Sequence, residues 1–231
     1  MRKSYITALA VVGVILFALT PPAKGQSLKM GAKGGYNVST VALDYTEIYD
    51  FRGGYNAGIF AEYTFGNLPL SVALEGYYME YGANNIDPGL IYYEDSPLLD
   101  MPMETSHFRF RSFEVPLLVK YHLPFLESIS PGIYLGSSFN IIRQADNLNE
   151  FEDNQLSAAE IDQRIMNYDI SGIAGLSTEI DIAPFALTFD VRYRMGIRDL
   201  NNVSGYPEFT AQSWQFMAGF AYDLGFVSGG G

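Results

Sequence analysis

Alternation of large apolar residues with small or polar ones dominates the C-terminal third of the chain. Over 213–226 one face reads Trp214, Phe216, Ala218, Phe220, Tyr222, Leu224 and Phe226. The other reads Ser213, Gln215, Met217, Gly219, Ala221, Asp223 and Gly225. Over 185–198, Phe185, Leu187, Phe189, Val191, Tyr193, Met195 and Ile197 alternate with Ala186, Thr188, Asp190, Arg192, Arg194, Gly196 and Arg198. Successive side chains of a strand point to opposite faces, so each segment carries one wholly apolar face. The repeat is two residues, where a helix would repeat every 3.6. Looser versions recur over 29–40, 54–65, 70–81, 110–123, 132–143 and 168–182. In 110–123, for example, Phe113, Val115, Leu117, Val119 and Tyr121 oppose Ser112, Glu114, Leu118 and Lys120.

Eight such segments predict an all-β chain, an eight-stranded antiparallel up-and-down barrel. The connections alternate in length. Short ones lie near 66–69, 124–131 and 183–184, and long ones near 41–53, 83–109, 144–167 and 199–212. With both termini periplasmic, the short links become periplasmic turns and the long ones extracellular loops, as in outer-membrane barrels. A water-soluble barrel also alternates, but it needs a charged outer coat. Here the face opposite the large apolar residues is mostly Gly, Ser, Ala and Thr with few lysines. Small residues suit the cramped interior of an eight-stranded barrel. Aromatics such as Tyr55, Tyr63, Phe65, Trp214, Phe220, Tyr222 and Phe226 gather toward segment ends, where lipid-facing girdles lie. The expected barrel is therefore transmembrane, its apolar face turned to lipid.

The N-terminus sets the expected compartment. Arg2 and Lys3 precede an almost uncharged apolar run over 5–19, then Pro21, Pro22 and a small-x-small pattern at Ala23, Lys24 and Gly25. That pattern reads as a signal peptide over 1–25, with the barrel over 26–231 and export to the outer membrane. The run is shorter than the ~20 residues of a spanning helix. The absence of cysteine excludes disulfides, thiol catalysis and a lipid-modified cysteine anchor. Loss of 1–25 removes three cations and no acid, moving the formal charge from −12 to −15. Such a chain is not built to grip nucleic acid, which needs clustered Lys and Arg.

By parity, the inward face carries Glu62, Glu75, Glu114, Lys120, Glu179, Asp181, Asp190, Arg192, Arg194 and Asp223. Unpaired buried ions cost several kcal/mol, so these groups must pair. Arg192 and Arg194 are expected to meet Glu114, Glu75 or Glu62 across the lumen. The network formed by Glu62, Glu75, Glu114, Lys120, Asp190, Arg192 and Arg194 reads as a salt-bridged plug, or else as a gated path for ions. Catalysis has little to work with. His122 lies near a short turn, and His107 sits in the long second loop beside Ser106, with Asp100 or Glu104 as the only orienting acids. An acyl-transfer site needs those groups in a fixed relay, which nothing in the spacing demands. No cofactor or metal site follows either, because the acidic stretch 146–153 lacks the glycine and spacing of a calcium loop. Tyr92, Tyr93, Leu98, Leu99 and Met101 place apolar side chains inside the acidic second loop, where they would pack on the rim or meet a partner.

Four segments together resemble a known family. They are GAKGGYNVS at 31–39, FEVPLLVKY at 113–121, PGIYLG at 131–136 and DVRYRMGI at 190–197. In this order they resemble the PorT-like outer-membrane β-barrel proteins of Bacteroidetes. The resemblance implies an eight-stranded barrel in the outer membrane. The family's namesake takes part in a secretion and gliding-associated export system, a role not carried over here. Phe226 resembles the terminal aromatic read by the barrel-assembly machinery, and the tail 227–231 departs from that pattern. The expected function is non-catalytic: an envelope structural or interaction barrel with acidic extracellular loops, linked at most to an export complex. The alternative is a barrel conducting small solutes or ions. Expected partners are outer-membrane lipid and lipopolysaccharide, the barrel-assembly machinery during biogenesis, and an envelope protein.

Overall fold

The computed structural model describes residues 27–43, 47–48, 50–66, 68–86, 106–123, 129–147, 167–182, 184–200 and 209–224. These form β1 (Ser27–Leu43), β2 (Glu47–Ile48), β3 (Asp50–Thr64), β4 (Leu70–Ile86), β5 (Ser106–His122), β6 (Ile129–Asn147), β7 (Tyr168–Ile182), β8 (Phe185–Gly196) and β9 (Phe209–Asp223). Apart from the two-residue β2, which pairs with the end of β1, every strand bonds antiparallel to its sequence neighbours. β1 also pairs with β9, from Lys29 opposite Asp223 to Leu43 opposite Phe209. That pairing closes an eight-stranded antiparallel barrel and removes the free edges an open sheet would expose.

Burial follows the alternation with the sense of a membrane protein. Ile59, Leu117, Leu135, Leu176, Phe189, Phe216 and Phe220 are exposed on the outer wall. Glu75, Glu114, Lys120, Arg192 and Arg194 are buried inside. Hydrocarbon as the outer solvent accounts for this inversion, since charged groups on that wall would be costly. The two short links between β3 and β4 and between β7 and β8 lie at the end where β1 begins and β9 finishes, called the near end below.

Several strands run further toward the far end than the alternation indicates. Residues 41–43, 50–53, 83–86, 106–109 and 144–147, read above as parts of long connections, belong to strands. His107 is therefore a β5 residue, not a loop residue. The hydrophobic period fades there because the outer face turns polar, with Glu80, Arg111 and Gln144 in register across β4, β5 and β6. The backbone ladder continues without it.

Bulky inward side chains fit because their neighbours are glycine. A Cβ at Gly175 would lie 2.5 Å from Tyr134 Cζ and 2.8 Å from Arg192 Cβ, and one at Gly219 would lie 2.7 Å from Lys33 Cγ. Gly175→Leu forces Tyr134 and Arg192 from their places. It is expected to destabilise the barrel by ~1–3 kcal/mol, the range for overpacking. Urea titration in lipid vesicles checks this, and an unchanged midpoint contradicts the packing argument.

Candidate functional site

The concentration of chemistry is the lumen, where charged side chains stack in tiers from the near end to the far end. At the near end a cavity of about 400 Å³ is lined by Ser27, Lys29, His122, Glu179, Asp181 and Asp223, among others. Lys29 Nζ lies 2.5 Å from Glu179 and 3.5 Å from Asp181. Asp181, assigned by parity to the inward set, has a side chain 43% exposed and belongs to this mouth, not the interior. The strand is close to its end there, so solvent reaches both faces.

The next tier is centred on Glu62. Lys120 Nζ donates to it at 2.7 Å and Ser71 Oγ at 2.5 Å. His122 Nε2 lies 3.2 Å from Glu62 Oε1 and 2.8 Å from Ser71 Oγ. Serine, histidine and acid thus meet, but not as a catalytic relay. Carboxylate and hydroxyl share one ring nitrogen, whereas a relay needs the acid on one nitrogen and the nucleophile on the other. Ser71 is also fully buried and donates its own proton to Glu62. His107, the other histidine, has Nδ1 3.1 Å from Asn84 Oδ1. Its candidate orienters Asp100 and Glu104 lie outside the described residues.

Mid-lumen, Glu75 holds two cations. Arg192 Nη1 donates to its Oε2 at 2.7 Å, and Lys33 Nζ lies 3.2 Å from its Oε1. Lys33 also meets Asp190 at 2.9 Å and sits 4.3 Å from the centre of the Phe60 ring. Arg192 Nε donates to Gln215 Oε1 at 2.6 Å, and the guanidinium stacks 4.9 Å from the Tyr77 ring centre. One tier further, Arg194 Nε lies 3.3 Å from Glu114 Oε1, and its Nη2 donates to Asp169. Asp169 accepts from Ser171 as well, at 3.0 Å. Arg192 Nη2 links the two tiers at 4.0 Å from Glu114. Beyond this tier, toward the far end, a group of apolar side chains follows among the described residues. Val41, Ala83, Phe110, Leu200 and Ala211 are each fully buried there.

Of the acids weighed as partners, Glu75 and Glu114 meet the two arginines and Glu62 is taken by Lys120. Network members not singled out from the sequence include Lys33, Asp169 and Gln215. Parity could have found them. Lys33 shares the parity of Asn37 and Ser39, which are also buried. Asp169 shares the parity of Glu179, and Gln215 lies on the face of the last segment opposite its large apolar residues. Tyr92, Tyr93, Leu98, Leu99 and Met101 lie outside the described residues. Among the described residues no group of three or more His, Asp or Glu side chains is placed to hold a metal ion.

Residues 23–202 match the family model described as an outer membrane protein beta-barrel domain. The chain belongs to this outer-membrane β-barrel family. Its members' placement in the outer membrane is accordingly the placement of this barrel. Ail, the attachment invasion locus protein of Yersinia pestis, is 16% identical, with 84% of this chain and 98% of Ail covered and a TM-score of 0.43. Neisserial surface protein A is 14% identical, with 86% of this chain and 99% of that protein covered and a TM-score of 0.48. The outer membrane protease OmpT from Escherichia coli is 10% identical over 89% and 99%, with a TM-score of 0.38. Comparison with curated protein sequences gives no match.

Proposed function

We propose that this outer-membrane barrel is a non-catalytic, plugged barrel that serves the envelope as a structural and interaction module, with its near end facing the periplasm. The single observation that carries the reading is the filled lumen. Ion pairs run from Lys120 and Glu62 through Glu75 and Arg192 to Arg194 and Asp169, and a buried apolar tier follows them. An eight-stranded interior is just wide enough for side chains to fill it, so such a network occupies the space a solute would need. The acidic connections and the apolar residues Tyr92, Tyr93, Leu98, Leu99 and Met101 within one of them suit contact with an envelope protein. The segments at 31–39, 113–121, 131–136 and 190–197 support the finer placement among PorT-like barrels of Bacteroidetes. A signal peptide over 1–25 fits export, and N-terminal sequencing of the mature protein is expected to begin at Gln26.

Planar-bilayer recording separates this reading from conduction of small solutes or ions. The reconstituted barrel is expected to give a flat trace. A stable single-channel step that disappears on altering Arg192 or Arg194 would establish the conducting alternative. An enzyme reading would instead require loss of a lipid-modifying activity in His107→Ala.

A further inference from the structure

Two arginine tiers fill the middle of the lumen, and their charges do not balance alike. In the first, Arg192 and Lys33 face Glu75 and Asp190, two cations for two acids. In the second, Arg194 stands between two acids. Its Nε lies 3.3 Å from Glu114 Oε1, and its Nη2 donates to Asp169. All three side chains are 0% exposed. Arg192 is 4.0 Å from Glu114 and donates its hydrogen bonds to Glu75 and Gln215 instead. Among the described residues no other cation comes within that distance of either acid. Lys120 and His122 serve Glu62 toward the near end. Arg52 of β3 turns to Asn84, at 3.4 Å.

The other inward groups around this tier bring no further charge. Asn140 of β6 stands in register between Glu114 of β5 and Asp169 of β7. β4 presents Tyr77, in register with Glu114, and Tyr81, its ring centre 5.2 Å from the Arg194 guanidinium. Where β1, β3 and β9 pass, they present Asn37 and Ser39, Gly54, and Ser213. Hydrogen bonding is just as uneven. Arg194 and Ser171 both donate to Asp169 Oδ2. Asp169 Oδ1 and both oxygens of Glu114 have no hydrogen-bond partner, although they are buried. One guanidinium cannot neutralise two carboxylates, and like charges held this close disfavour joint ionisation. A buried ion left without a counter-ion is costly enough that such a group ordinarily gives up its charge.

We infer that Glu114 and Asp169 hold one proton between them, which makes the Arg194 tier a proton-binding site inside the plug. The tier is then neutral: one guanidinium, one carboxylate and one carboxylic acid. The proton is taken from solvent as the barrel closes, and its release sets two carboxylates against one arginine. The test is the infrared spectrum of the full mature barrel, folded in a detergent that has no carbonyl group. Exposed carboxylates are ionised at neutral pH, so the C=O stretch of a carboxylic acid there reports a buried proton. The wild type is expected to show that band. Asp169→Asn and Glu114→Gln should each lose it, because one acid then pairs with one arginine. Asp181→Asn, at the solvent-open mouth, should keep it. Absence of the band in the wild type, its survival in either lumen variant, or its loss in Asp181→Asn overturns the inference. Heat-modified mobility reports whether each variant is folded. If one lumen variant is not, the other gives the same readout, and absence in the wild type decides without either. A flat or conducting bilayer trace leaves this outcome untouched, so this inference and the plugged reading fail separately.

Discussion

Glu75→Gln is expected to destabilise the barrel by ~3–5 kcal/mol, the range for removing one partner of a buried ion pair. The substitution barely changes shape, so the loss is electrostatic. Glu75 has a 1% exposed side chain and holds both Lys33 and Arg192. Without it Lys33 still meets Asp190 at 2.9 Å. Arg192 keeps only Gln215 as a near partner, with Glu114 4.0 Å away. The uncompensated charge is therefore Arg192. Glu75→Leu combined with Arg192→Met should recover most of the loss, because a buried pair exchanged for apolar groups of similar volume is often close to neutral. Asp181→Asn serves as the contrast, since that carboxylate is 43% exposed and 3.5 Å from Lys29. Exposed pairs contribute ~0–1 kcal/mol. Folding free energies from urea titration in lipid vesicles measure all three. If Glu75→Gln costs no more than Asp181→Asn, the network is not holding the lumen together.

Leu176→Arg should cost about 2–4 kcal/mol, the range for arginine at the bilayer midplane on a barrel's lipid face. Leu176 lies near the centre of β7 and is 61% exposed on the outer wall. Ile182, at the near end of the same strand, is exposed to a similar degree, 56%. Arginine there should cost only ~0–1 kcal/mol, because the penalty falls toward the interface. In water the two substitutions would be alike, each within ~0.5 kcal/mol. The difference between them thus reads the solvent directly. Equal costs in the vesicle titration would mean that the wall does not face hydrocarbon.

The alternation by itself determined the number of long strands, their antiparallel order and which face of each is apolar. A strand has a strict period of two, and in β8 and β9 no position from Phe185 to Arg194 or from Ser213 to Tyr222 breaks it. Composition of the second face then decided which side meets lipid, since Gly, Ser and Thr can line a narrow lumen and cannot coat a soluble barrel. Strand ends were legible only while the outer face stayed apolar. At Arg109, Arg111 and Gln144 the wall leaves the hydrocarbon, the period disappears, and only backbone hydrogen bonding carries the strand on.

Pairing inside the lumen was decided by the tertiary structure alone. Parity says that a residue points inward, but depth depends on the stagger between strands around a closed barrel. That stagger sets Lys33 of β1 against Glu75 of β4 and Asp190 of β8, partners 42 and 157 positions apart in the chain. It sends Arg194 to Glu114 and Asp169, and leaves Glu62 to Lys120, Ser71 and His122. The neighbourhood of Arg111 on β5 and Arg143 on β6 has the same origin. Arg111 and Arg143 are distant in sequence and become neighbours only when two antiparallel strands pair through a bulge. Alternation is a property of one strand, whereas charge pairing is a property of the closed sheet.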